Sequence, residues 1–199
     1  MKKIAMFGGT FNPIHFGHIR VALYFREKLN LDKVIFVPTL IPPHKEMTEK
    51  VDPYARYDMC LLETDKYSYF ETSDIELKRK GKSYTIDTLR KLSQIYKDSK
   101  LYLIMGADMF VTIEEWKEYK EILSLADICT FPRGEYDYKF LIEYKDKFLS
   151  KYECFIADMP LVDVSSSEIR NMVSENKPIS NLVSSEVEKY IYEKGLYHG

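Results

Sequence analysis

Short apolar runs recur along this chain, each separated from the next by a segment of helical spacing, and that alternation narrows the fold more than any other feature. The runs Ile4-Ala5-Met6-Phe7, Val34-Ile35-Phe36-Val37, Leu101–Met105, Asp127–Phe131 and Cys154-Phe155-Ile156 read as strands, with Tyr67–Ser73 as a sixth. Strands apolar at successive residues are covered on both faces, the habit of parallel sheets with helical crossovers. Between them, apolar residues return every three or four positions: Ile19, Ala22, Leu23 and Leu29; then Ile86, Leu89, Leu92 and Ile95; then Trp116, Tyr119, Ile122 and Leu123. Pro53 suits the first turn of a helix running through Leu62, and further helices are expected at Tyr138–Tyr152, Ser166–Ser174 and Ser185–Lys194, the last stopped by Gly195. The stretch from Pro38 to Asp52, with Pro42-Pro43, is a loop. The expected fold is α/β: a doubly wound parallel sheet with helices on both faces. It forms one domain over residues 1–199, its C-terminal helices from about 165 packed on the edge or rim. Ligands of such sheets sit beyond the carboxyl ends of the strands, so the exits after Phe7, Val37 and Met105 are where chemistry belongs.

The first exit reads "GGTFNPIHFGH". Gly8 and Gly9 allow a sharp turn and close approach of backbone N–H groups to a ligand, and Gly17-His18 opens a helix whose N-terminus favours an anion. Neither the dinucleotide fingerprint G-x-G-x-x-G nor the phosphate loop G-x-x-x-x-G-K-[ST] is present. His15 and His18, three apart at a helix start, can instead face one phosphate as hydrogen-bond donors, charged or neutral as the anion requires, with the Thr10 hydroxyl beside them. A glycine turn with two incidental histidines is the plainer reading, and a zinc pair lacks the acidic partner it would need.

The second exit carries His44 and Lys45 in "IPPHK", where the prolines stiffen the loop and Lys45 offers a point charge for phosphate; a solvated surface loop is the alternative. "VSSSEIR" supplies Ser165 and Ser166 at a helix start and Arg170 one turn in. One cap explains one serine, while three serines and an arginine also suit a phosphate. "GAD" sets Asp108 just past a core strand, as a ribose acceptor or an N-cap, and "SYTIDTL" sets Tyr84 and Thr85 at a helix start. Trp116 lies on an apparent apolar stripe, where it either packs in the core or stacks on an aromatic ligand.

Composition rules out several classes. A net charge of −2 gives no general attraction to nucleic acid or acidic membranes. No run approaches the ~20 apolar residues of a membrane helix, and the opening residues are too short an apolar run for a signal peptide. Cys60, Cys129 and Cys154 are odd in number and widely spaced, which fits reduced thiols and a cytoplasmic protein.

Taken together and in order, "GGTFNPIHFGH", "IPPHK", "SYTIDTL", "GAD", the tryptophan of "EEW" and "VSSSEIR" resemble the bacterial nicotinate mononucleotide adenylyltransferases of the nucleotidyltransferase superfamily, over essentially the whole chain. The resemblance implies a Rossmann-like fold and transfer of AMP from ATP to nicotinate mononucleotide, giving deamido-NAD and pyrophosphate. It implies Mg²⁺ as cofactor, held by the ATP phosphates with no protein side chain as ligand. It also implies small-molecule substrates without nucleic acid or membrane, and leaves a homo-oligomer open. By position, Gly8, Gly9, Thr10, Phe11, His15, His18, Gly106, Asp108, Ser165, Ser166 and Arg170 would bind ATP. Thr10, His44, Lys45, Tyr84, Thr85, Trp116 and Lys117 would bind the mononucleotide, and His15, His18, Lys45 and Arg170 would serve catalysis, with Arg133 of "FPRG" a weaker match on the adenine side. Ser167 stands where the family more often has threonine, and Lys117 where an aromatic residue or histidine is common. Pantetheine-phosphate adenylyltransferase and nicotinamide mononucleotide adenylyltransferase are the rival enzymes, and a nucleotide-sensing binding protein is the non-enzymatic alternative.

Overall fold

A computed structural model describes residues 1–41, 51–79, 81–160 and 164–198. Six parallel strands form one sheet: β1 (Lys2–Gly9), β2 (Lys33–Pro38), β3 (Phe70–Thr72), β4 (Ser99–Gly106), β5 (Ala126–Phe131) and β6 (Cys154–Ile156), in the order β3-β2-β1-β4-β5-β6. The strand order reverses between β1 and β4, and the doubly wound parallel sheet expected from the apolar runs is therefore present. The described helices are α1 (Phe16–Leu29), α2 (Pro53–Thr64), α3 (Ile75–Lys78), α4 (Thr85–Ile95), α5 (Ala107–Phe110), α6 (Tyr119–Leu125), α7 (Tyr138–Phe148), α8 (Ser166–Ser174) and α9 (Ser185–Glu193). None of the helices in the described residues is long and apolar enough to cross a membrane.

Alternate residues of each strand feed two cores. Ala5, Phe7, Val34, Phe36, Tyr102 and Ile104 point to one face, where they meet Phe25 of α1, Met59 of α2, Ile169 of α8 and Ile191 of α9. Ile4, Met6, Ile35, Val37, Leu103 and Met105 point to the other, against Leu89 of α4, Phe110 of α5, Ile122 of α6 and Leu141 of α7. The C-terminal helices α8 and α9 thus cover the face shared with α1 and α2 rather than the edge or rim. The three cysteines are free and buried in these cores.

Local chemistry sets the helix boundaries. Asp52 accepts from the Tyr54 N–H at 2.9 Å, with Pro53 in the first turn of α2. Gly195, at φ +60°, follows α9 in the left-handed conformation that ends a helix. Four expectations are corrected. The tyrosines at 67 and 69 precede β3 and pack as an aromatic cluster with Phe70, and of the two only Tyr69 reaches β2, its carbonyl accepting the Val34 N–H at 3.0 Å. Helix α7 stops at Phe148, four residues short. The stripe from Trp116 to Leu123 is broken: a 3-10 turn at Ile113–Glu115 ends before Trp116, and Glu118, at φ +54°, reverses the chain before α6 starts. Ile95, expected on the buried face of α4, is the helix's last residue and is exposed.

Candidate active site

A cleft of about 520 Å³ opens at the carboxyl ends of β1 and β4, where the strand order reverses. Its walls come from the loop after β1, the β4–α5 junction, the start of α4, the segment around Trp116 and the start of α8. Gly8, Gly9, Thr10, Phe11, His18, Tyr84, Thr85, Gly106, Asp108, Trp116, Lys117, Ser166 and Arg170 all line it, as does Arg133. Residues from opposite ends of the sequence therefore share one concave surface. His44 and Lys45 lie outside the described residues.

The loop after β1 is built from the strand outward. The Gly9 carbonyl accepts the Thr39 N–H at 2.9 Å, tying the first exit to the second. A Cβ on Gly9 would stand 3.0 Å from the ring of Phe11, so glycine is what lets that ring fold back beneath the loop. Phe11 takes φ +47° and is buried, edge-on to Phe7 and to the His18 imidazole at ring-centre distances of 5.7 and 4.9 Å. Its ring is thus a floor, and only its backbone is available to a ligand. The loop is pinned from behind by α8 and the C-terminal segment: Ser166 Oγ donates to the Pro13 carbonyl at 2.9 Å, Arg170 Nη1 to the Asn12 carbonyl at 2.9 Å, and the Tyr197 hydroxyl to Asn12 Oδ1 at 2.8 Å.

His15 caps α1 and His18 sits one turn in, their ring centres 3.8 Å apart. Only one of the two reaches the main cleft. His18 lines the cleft, whereas His15 lines a small side recess that it shares with His18, Arg133 and Val164. Burial, reinforced by the Arg133 guanidinium, pushes the His15 pKa from 6.5 down to about 3. Burial does the same to His18, helped by His15 and Arg133. Both rings are therefore neutral near pH 7. The His15 backbone N–H donates to His18 Nδ1 at 3.2 Å, which leaves the His18 proton on Nε2. Without a bound anion, His18 is therefore a neutral donor through Nε2.

Beyond β4, Gly106 occupies the N-cap of α5 and Asp108 lies inside the first turn, so the capping alternative for Asp108 is set aside. A Cβ on Gly106 would come within 2.6 Å of Asp108 Oδ1, a contact that would displace the carboxylate. Ser165, expected at the ligand, is the N-cap of α8: its Oγ accepts from the Glu168 N–H at 3.1 Å, and Ser166 and Ser167 line the cleft instead. Trp116 is half-buried against the core, as the packing reading expects, and also lines the cleft. Lys117 holds its ammonium 4.6 Å over the Tyr84 ring and 3.9 Å from Asp87 and from Glu118.

The chain matches the cytidylyltransferase-like family model over residues 6–172. A relative from Desulfitobacterium hafniense, named "probable nicotinate-nucleotide adenylyltransferase", is 42% identical over 98% of this chain and 96% of its own. One of the same name from Dictyoglomus thermophilum is 42% identical over 98% of this chain and 99% of its own. This chain belongs to the nicotinate-nucleotide adenylyltransferase family. The fold agrees: Plasmodium falciparum nicotinic acid mononucleotide adenylyltransferase complexed with NaAD superposes with a TM-score of 0.79 at 21% identity, over 99% of this chain and 98% of that one. The same protein complexed with APC gives 0.76 at 20% identity, over the same shares of both chains. Family members are nucleotidyltransferases.

Several cleft residues were not singled out in the sequence. Asn12, Thr39, Glu76 and Ser83 line the site, and Arg56 stands behind it. Glu76 is buried, accepts from Thr88 Oγ1 at 2.7 Å and braces the start of α4. Arg56 was legible as a charged residue on a buried stripe, since it shares one face of α2 with Met59, Cys60 and Glu63.

Proposed function

We propose that this protein transfers the AMP moiety of ATP to nicotinate mononucleotide, releasing pyrophosphate and forming deamido-NAD. One observation carries the reading: a single cleft gathers the neutral His18 donor and Arg170 from the two ends of the chain's motif series and Tyr84, Trp116 and Lys117 from its middle. Family membership supplies the substrate class.

The residues suit an attack that needs no protein base. The mononucleotide phosphate is already anionic near pH 7; its oxygen bonds to the α-phosphorus of ATP as the bond from that phosphorus to the bridging oxygen breaks, and the electron pair leaves with pyrophosphate. Catalysis then consists of alignment and charge stabilisation, and alignment alone can lower a barrier by ~7–11 kcal/mol. His18 Nε2–H and the Arg170 guanidinium present donors to the phosphates, and Asp108 accepts from ribose. Gly8, Gly9 and Thr10 keep the backbone close to the nucleotide. Tyr84, Thr85 and Trp116 frame the pyridine ring, and the Lys117 ammonium favours the acid over the amide.

Mg²⁺ enters as the counter-ion of the triphosphate, where it offsets charge on the leaving group. Among the described residues no group of three or more His, Cys, Asp or Glu side chains is placed to hold a metal, and the cleft's donors are mainly imidazole, amide, hydroxyl and guanidinium groups. That donor set fits a metal carried by the nucleotide.

Pyrophosphate release from ATP and Mg²⁺ tests the assignment when the acceptor is varied among nicotinate mononucleotide, nicotinamide mononucleotide and pantetheine phosphate. Release should be fastest with nicotinate mononucleotide. Release with pantetheine phosphate alone, or binding of ATP without release for any acceptor, would overturn the reading.

A further inference from the structure

Arg56 is fully buried in α2, yet among the described residues no carboxylate lies within ion-pair distance of it. Its guanidinium donates to two backbone carbonyls, Thr10 at 2.6 Å through Nη1 and Thr39 at 2.7 Å through Nη2. These are the exits of β1 and β2. Burial of a cation is costly unless anions or hydrogen bonds offset it, and two neutral carbonyls are a modest compensation. The Asp52 carboxylate, the Cys60 thiol and the Tyr197 hydroxyl are the other polar groups facing it. Helix packing does not ask for an arginine here.

The Thr10–Phe11 peptide supplies a reason. A trans peptide sets its N–H opposite its carbonyl. The Thr10 carbonyl points back at Arg56, so the Phe11 N–H points the other way, on the side where Thr10 and Phe11 line the cleft. Phe11 takes φ +47°, and its N–H donates to nothing among the described residues. We infer that Arg56 is a positioning residue: by holding the Thr10 carbonyl it presents the Phe11 N–H to a phosphate of the bound nucleotide, and its buried charge is balanced only when that anion arrives. The inference rests on the adenylyl-transfer reading for the identity of the anion.

The test starts with the unaltered protein, and so does not depend on a variant folding. In ¹H–¹⁵N spectra, the Phe11 amide should move downfield on addition of a non-hydrolysable ATP analogue. A Phe11 amide that stays put while other cleft amides move would overturn the inference without touching the function. Arg56→Lys, which keeps charge but loses the two-pronged geometry, should weaken analogue binding about ten- to hundredfold, the order expected when a buried carbonyl loses its donor. It should also abolish the Phe11 shift and leave the amide shifts at His18 in place. Added guanidinium should partly restore analogue binding to Arg56→Ala. Lysine and alanine variants that fold and bind the analogue as tightly as the parent would contradict the inference. Failure of the unaltered protein to release pyrophosphate would count against the function alone.

Discussion

His18 carries the most specific claim at the scale of single residues. It is a neutral donor whose tautomer is set by the His15 backbone N–H, and a donor aimed at developing charge contributes ~2.7–4 kcal/mol to the transition state. His18→Ala should therefore lower kcat by about 10²–10³-fold while changing the KM for ATP far less, as steady-state kinetics will show. A raised KM at normal kcat would mean ground-state binding only. The buried imidazoles also set a pH dependence. The unfolded chain takes up a proton at each near pH 6.5, whereas folded His15 resists protonation down to about 3. Between those values the unfolded state binds more protons, so stability is lost as the pH falls through that window. Urea midpoints should drop from pH 7.5 to pH 5, and His15→Asn should flatten the drop. Gly106→Ala makes a third case. The 2.6 Å approach of its Cβ to Asp108 Oδ1 should raise the KM for ATP several-fold, with only a small change in melting temperature.

At the scale of elements, α8 separates two serines that look alike in the sequence. Ser165 caps the helix and Ser166 ties it to the Pro13 carbonyl beside the cleft. Ser165→Ala should lower stability by ~1 kcal/mol with ATP kinetics nearly unchanged. Ser166→Ala should disturb the loop after β1 and raise the KM for ATP. Equal effects of the two on KM would contradict this division. The same contrast shows how much the sequence discloses. Strand–helix alternation and cap chemistry were enough for the six strands and for α8 to the residue, because apolar runs and serine caps are local signals. The helix through Trp116 failed because periodicity is blind to a left-handed residue such as Glu118, which breaks the stripe while leaving its spacing intact. Arg56 and Glu76 were passed over for a related reason: their importance lies in partners 46 and 12 residues away, and no local pattern reports those.

Across the whole molecule, the sheet order brings the chain's two ends together. Strands β1 and β4 are neighbours, α1 and α8 share a core, and Tyr197 near the C-terminus bonds Asn12 near the N-terminus. The cleft is lined by elements spread over the sequence, so a nucleotide bound there should stabilise the fold as one unit: at a hundredfold excess over Kd, ATP should add ~2.7 kcal/mol to unfolding, read as a shift in melting temperature. In the proposed reaction the histidine loop and Arg170 hold the ATP phosphates, and Tyr84, Trp116 and Lys117 select the acceptor. The most direct measurement follows the label of ATP carrying ³²P at the α-phosphate, incubated with Mg²⁺, nicotinate mononucleotide and the protein. The account predicts that the label moves into a dinucleotide while unlabelled pyrophosphate is released. Label that stays in ATP, or that ends in free AMP, would contradict it.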